Sequence, residues 1–211
     1  MLNKKSLILI LVSVVIAFLI GGCMGKSQPT RFYTLTSTVE SQQLLKESSA
    51  SSNLAIGIGP VKLADYLAKS RIVTRIDENK IGQAEFDQWS GSLKNNIINV
   101  MADNIGSLLN TEKVFVHPWR SFIPIDYQVI IEIIRLDGEP GNLATLEARW
   151  MVLKDKDKSI IENKRSRIQE TTDTDGYAGL VAAQSRALGK LSGKIAQSIN
   201  AALLANTIGA D

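Results

Sequence analysis

The chain of 211 residues contains one cysteine, one histidine and five prolines, and only 6% of it is aromatic. A single cysteine can form no internal disulfide and cannot supply a cysteine-based metal site. One histidine with no free cysteine beside it cannot begin a zinc set, which needs three or four ligands at set spacing. Charge of one sign is also lacking: 24 Lys+Arg stand against 21 Asp+Glu, a formal +3. Nucleic acid is therefore not expected as a partner, because it calls for a basic patch. The charged runs are short and mixed, as at Lys154 to Lys158, and read as solvated turns.

Motifs of catalysis and nucleotide binding are missing too. There is no Gly-x-Ser-x-Gly elbow for His117 to serve, and His117 reads as structural. Gly189-Lys190 is no phosphate loop, since Gln184 stands where its first glycine belongs and Leu191 where its Ser/Thr belongs. Gly57 and Gly59 lack the third glycine and the helix of a dinucleotide fingerprint, so they mark a strand that bends or packs closely. Asp137 and Glu139 lie in a stretch dense in turn formers, where acidic residues serve turn geometry and solvation. Asp173, Asp175 and Gly176 read as a helix start with Asp175 as a candidate cap, and a calcium loop would need more oxygen ligands. No catalytic residue, cofactor or metal is expected; the reading is of a protein that is not an enzyme.

What is present is one uninterrupted apolar run, Leu7 to Gly22, preceded by Lys4 and Lys5 and ending in Leu19-Ile20-Gly21-Gly22-Cys23. A basic start, a short apolar run and small residues at its end make a secretory signal. The ending resembles a bacterial lipobox, which implies cleavage between Gly22 and Cys23, a diacylglyceryl group on the Cys23 sulfur and an acyl chain such as palmitate on the new amino group. The alternative is an uncleaved membrane helix, but sixteen residues span about 24 Å of helix against a hydrocarbon core of about 30 Å. Two or more acyl chains hold a protein firmly, at about 0.8 kcal/mol per buried methylene. The expected division is a signal peptide over 1–22, a lipidated tether over 23–30, one domain over 31–206 and a tail over 207–211. Met24, not Asp, follows the cysteine, and by the sorting rule of two-membrane cells this makes the outer membrane, periplasmic face, the default. Removing 1–22 leaves 211 − 22 = 189 residues, with 22 basic and 21 acidic side chains. That is enough for one domain with its own core.

Periodicity predicts an α+β fold: a mostly antiparallel sheet packed by two long amphipathic helices. Strands are expected over 31–36, 54–61, 71–77, 81–86, 113–117, 125–136, 143–153 and 159–169, with a connector at 62–70 and a mobile loop at 37–53. The last three long strands read as an antiparallel meander. One helix is expected from Asp87, as its cap, to Asn110, with Trp89, Leu93, Ile97, Val100, Met101, Ile105 and Leu108 as its apolar stripe. A second is expected over 176–205, with Gly189 and Gly193 packing closely on the sheet. Exposed aromatics anchor interfaces, and Tyr66, Trp119 and Phe122 are the candidates.

Several stretches together carry a resemblance: Cys23, Arg31-Phe-Tyr-Thr-Leu35, Ile56-Gly-Ile-Gly-Pro-Val61, Asp65-Tyr-Leu67, Arg71-Ile-Val-Thr-Arg75 and Phe86-Asp-Gln-Trp89. In order and separation they resemble the PqiC (YmbA-type) lipoproteins, the ABC-type transport auxiliary lipoprotein components. The resemblance covers essentially the whole mature chain. It implies an outer-membrane lipoprotein facing the periplasm, a homo-oligomeric ring, and a partner of the MCE-domain tunnel type with its membrane partners. It also implies a role in moving lipid between membranes and in envelope integrity, with no catalytic residues. Two other readings stay open: a periplasmic lipoprotein of an ABC transporter that itself carries lipid, and an envelope hydrolase using His117.

Overall fold

The computed structural model describes residues 28–38 and 53–208. Gly22 and Cys23 lie outside the described residues, as do the expected signal, most of the tether, and residues 39–52 of the expected loop.

Strands β1 (Arg31–Tyr33), β2 (Ile56–Leu63), β3 (Arg71–Arg75) and β4 (Ile81–Trp89) come first, with a 3-10 turn at Asp65–Leu67 between β2 and β3. Helix α1 (Leu93–Leu109) follows, then β5 (Val114–Val116), β6 (Tyr127–Glu139), β7 (Leu143–Lys154), β8 (Ile160–Thr171) and helix α2 (Gly176–Ile208). The strands form two sheets, a small one in the order β1-β4-β3 and a large one in the order β5-β2-β6-β7-β8.

The α+β class holds, and the meander β6-β7-β8 is antiparallel throughout. The rest is mixed. β2 runs parallel to both β5 and β6, and β1 parallel to β4. Pairing direction is a matter of tertiary structure: β2 and β6 lie side by side across a long insertion, and nothing in either strand's own pattern records that.

In β7 the even residues Ala144, Leu146, Ala148, Trp150 and Val152 are all buried. In β6 the same holds for Tyr127, Val129, Ile131 and Ile133, until a register irregularity between Ile133 and Arg135 changes the phase. A strand's side chains alternate between faces, so one irregularity turns the following residues over. Leu136 and Gly138 thereby take the helix-covered face beside Leu146 and Ala144, while Asp137 lies on the opposite face, where Arg75, Arg135 and Tyr66 bury it. Both helices cover this one face. α1 packs on β2 and β5, α2 on β6, β7 and β8, and the helices pack on each other. The small Ala144 and Ala148 on the sheet face α2, whose Ala183, Ala187, Leu188, Leu191, Ile195 and Ile199 are buried.

Two local expectations are corrected. Asp87 caps no helix. It lies in β4, 2% exposed, and the helix begins six residues later with Ser92 as cap, whose Oγ accepts from the Asn95 N–H at 3.3 Å. Trp89 is likewise a buried strand residue. The helix stops at Asn110, which takes the left-handed conformation that closes many helices. Asp137 is not a solvated turn residue either. It is fully buried in β6, receiving Arg75 Nη2 at 2.6 Å, Arg135 Nε at 2.6 Å and the Tyr66 hydroxyl at 3.3 Å. Glu139, two residues on, is exposed as expected of a turn.

This carboxylate ties the small sheet to the large one, because Arg75 ends β3 and Asp137 belongs to β6. Removing one member of a buried ion pair strands the other charges, at a cost of about 3–5 kcal/mol. Asp137→Ala is expected to lower unfolding stability by about that amount in urea titration, whereas exposed Glu139→Gln stays within about 0.5 kcal/mol.

Candidate functional site

The described part of the N-terminal segment, residues 28–38, is the stretch that would join a lipid anchor to the body. Only Arg31–Tyr33 is a strand; residues 34–38 beyond it are held by side chains of the two helices. Arg31 makes a two-pronged pair with Asp87, Nε to Oδ1 at 2.8 Å and Nη2 to Oδ2 at 2.8 Å, and the Tyr33 hydroxyl donates to Oδ1 at 2.7 Å. Next, Leu35 is buried at 3% exposure, and the Asn96 amide of α1 holds its peptide from both sides. Asn96 Oδ1 accepts the Leu35 N–H at 2.6 Å, and its Nδ2 donates to the Leu35 carbonyl at 3.1 Å. The amide thus takes the place that a neighbouring strand would fill.

Further on, the Thr36 N–H donates to Ser185 Oγ of α2 at 3.2 Å. Ser37 Oγ and the Thr38 N–H both donate to Asn104 Oδ1, at 2.6 and 3.3 Å, from a side chain of α1 that is fully buried. A Cβ on Gly189 would collide with the Thr38 hydroxyl. Gly189 therefore admits this strap rather than the sheet, while Gly193 has open space where a Cβ would stand. Ser37 and Thr38, expected in a mobile loop, are clamped to both helices.

The other sequence candidates separate. Tyr66 points inward to the Ile134 carbonyl and Asp137, and burial, then the Asp137 charge, pushes its phenol up to about 12. Trp119 is half-buried with its ring where a Gly57 Cβ would stand, at 2.7 Å. That is the close packing expected of Gly57. Phe122 remains exposed at 74%, with the Arg120 guanidinium 5.9 Å from its ring centroid. Phe32, which the sequence did not single out, is 64% exposed on β1. His117 is exposed rather than lodged in the core, and meets the Trp119 ring edge-on. No serine hydroxyl or carboxylate is bonded to it among the described residues. Among the described residues no group of three or more His, Cys, Asp or Glu could hold a metal ion, and no helix is long and apolar enough to cross a membrane.

The signal for the strap was present but faint. Asn96 and Asn104 lie eight apart on α1, and Ser185 and Gly189 interrupt the apolar stripe of α2. Small and amide side chains inside a packed face indicate that backbone is being received there.

The chain matches the family model of the ABC-type transport auxiliary lipoprotein component over residues 33–196. No curated protein matches it. Among solved structures, an uncharacterized protein matches with a TM-score of 0.66 at 16% identity, covering 82% of this chain and 99% of its own. Protein XCC0632 from Xanthomonas campestris, of family DUF330, matches with a TM-score of 0.64 at 14% identity, covering 83% and 99%. At such identities the likeness concerns the fold.

The Arg31–Asp87 pair is pH-dependent. Hydrogen bonding from Arg31 holds the Asp87 carboxyl below its ordinary 3.8. A depressed carboxylate stabilises the fold above its unfolded pKa, and that contribution is lost as pH falls through the folded pKa. Arg31→Ala is therefore expected to lower the melting temperature at pH 7, with the difference from the parent shrinking below about pH 3.8. Thermal unfolding followed by circular dichroism across that range checks it.

Proposed function

We propose, on the premise that the chain belongs to the family of ABC-type transport auxiliary lipoprotein components, that it is a non-enzymatic tether and docking module of an MCE-type system moving lipid between membranes. Residues 1–22 are removed, and Cys23 takes a diacylglyceryl group and an N-acyl chain. Residues 23–30 then link the anchor to a body over 31–206, followed by a tail over 207–211. The body faces the periplasm from the outer membrane. There it works as a homo-oligomeric ring that receives the MCE-domain tunnel protein and its membrane partners and supports envelope integrity.

The observation that carries this reading is the strap. From Cys23 to Arg31 there are 31 − 23 = 8 residue steps, at most about 28 Å when fully extended. Directly beyond that short link the chain is bonded to β4, α1 and α2 in turn. A pull on the anchor therefore reaches both helices and the sheet rather than a loose end. The buried ionic groups are spent on holding sheets and strap together, which suits a scaffold. Phe122 supplies an aromatic anchor of the kind that interfaces use.

Cys23→Ala is expected to abolish incorporation of labelled palmitate and to release the body from the outer-membrane fraction; an unmodified mature N-terminus in the parent would overturn the anchoring. Detergent extraction followed by affinity capture is expected to recover an MCE-domain protein. Phe122→Ala is expected to reduce that recovery at least several-fold with an unchanged melting temperature, and recovery only of unrelated enzymes would defeat the docking role.

A further inference from the structure

The large sheet has a second face, turned away from both helices, and strand register says what stands on it. Lys62 of β2, Glu132 of β6, Arg149 of β7 and Arg165 of β8 form one row across four strands. Neighbouring strands lie about 4.8 Å apart, so this row spans about 14 Å. The next row holds Arg135, Glu147 and Arg167. The two rows carry five cations against two carboxylates, a surplus of three, and the formal charge of the whole chain is only +3. The signs also differ in height. The Lys62, Arg149 and Arg165 side chains are 57 to 76% exposed, while Glu132 and Glu147, with which they pair, are 37 and 18% exposed. Arg167 is exposed and has no acidic partner among the described residues. The carboxylates therefore lie under the cations, and a partner approaching this face meets positive charge first.

One row nearer the start of β6 the same face is apolar. Ile130 stands opposite Met151, and both are half-buried. Each end of the face is covered. Trp119 lies over Gly57, which is in register with Gln128, and Arg75 and Tyr66 close over Asp137. Glu139, the remaining carboxylate on this side of β6, lies beyond Asp137 at the turn. The open middle of the face thus joins an apolar row to a basic one. Arginine and methionine are enriched in protein interfaces, and complementary charge steers encounter and fixes register.

We propose that this face docks an acidic polypeptide segment, its carboxylates on Lys62, Arg149, Arg165 and Arg167 and its apolar side chains on Ile130 and Met151. The surplus of cations sets the sign of the partner, and the apolar row sets its class. A nucleic acid would use the cations and leave Ile130 and Met151 bare. The assignment uses neither the strap nor Phe122, and it needs neither Cys23 acylation nor an MCE-domain partner.

The test uses the full chain in a nonionic detergent, with the Ile130 and Met151 methyl resonances, assigned by Ile130→Val and Met151→Leu, as reporters. Decapeptides of alternating Glu and Leu, Glu and Ser, and Lys and Leu are titrated, with a thymidylate oligomer of matched charge beside them. The Glu/Leu peptide is expected to shift both methyls saturably, to bind several-fold more tightly than the Glu/Ser peptide, and to weaken as salt is raised. Arg149→Ala combined with Arg167→Ala should weaken it by about tenfold or more. Lys194→Ala removes the same charge from α2, on the other side of the sheet, and should leave the affinity within about twofold. All three substitutions fall on exposed residues, so the variants should melt with the parent. The proposal is overturned if the Glu/Ser peptide or the thymidylate oligomer binds as tightly, or if the Lys/Leu peptide alone saturates. It is also overturned if no probe saturates, if affinity survives the double substitution, or if Lys194→Ala weakens it as much.

Discussion

An irregular peptide that is buried must have its N–H and C=O groups met by something other than a strand or helix ladder. Leu35 and the half-buried Ser37 and Thr38 impose that constraint on this fold, and side chains of both helices satisfy it. Asn96 does so with both ends of its amide, Asn104 with one oxygen for two donors, and Ser185 with a hydroxyl that also bonds its own helix at the Val181 carbonyl. These polar side chains occupy positions that an amphipathic helix would otherwise give to apolar residues. Gly189 completes the arrangement by giving up its side chain to Thr38. The two helices are therefore joined through the strap as well as through their direct contact, and the N-terminal segment is part of the layer.

The second organising feature is a charge rather than a peptide. Asp137 sits at zero exposure between two arginines, each only about a quarter exposed or less, and it is reached because the irregularity in β6 changes which residues face inward. A buried carboxylate paired this way adds little over a well-packed apolar group, but it tolerates no other arrangement of its partners. Its effect is positional: the β3–β4 hairpin can sit against β6 in one place. Strap and hairpin meet in turn through β4, which receives Arg31 at Asp87 and pairs with β3.

The strength of each sequence signal follows from its physical origin. The meander β6 to β8 and the helix α2 were legible because alternation and 3.6-residue periodicity are written along single segments. The first helix was placed too early because Asp87 looked like a cap and Trp89 continued the apolar spacing. Its burial against Arg31 depends on a strand more than fifty residues upstream, which no local pattern contains. Asp137 misled in the same way, since a Gly-Glu-Pro-Gly sequence marks the turn that begins only after it. Parallel pairing of β2 with β6 was invisible for the same reason. Gly57 was read correctly in kind, yet the tryptophan that packs on it lies sixty-two residues away. Of the three candidate aromatics, only Phe122 is left outward, because Tyr66 and Trp119 each have a structural neighbour that the sequence could not name.

How firmly such a body can be coupled to an anchor is decided at the junction between link and fold. On the proposed anchoring, residues 23–30 set only how far the body can sit from Cys23. Orientation is transmitted only if the first ordered residues are bonded at several separated points, since one bond leaves a pivot and two leave an axis. Here the bonds fall on β4, α1 and α2, three different elements that do not lie on one line of chain. The first of them is an ion pair with one side open to water, where the arginine side chain is 56% exposed, and the second is sheltered at the buried Leu35. Detachment under load would therefore begin at Arg31, where water can compete, and would next meet Leu35, whose release exposes an apolar side chain as well as a peptide. Leu35 is the most buried point of residues 31–38, between the exposed Thr34 and Thr36, so on the proposed tethering it is the contact whose release would cost most.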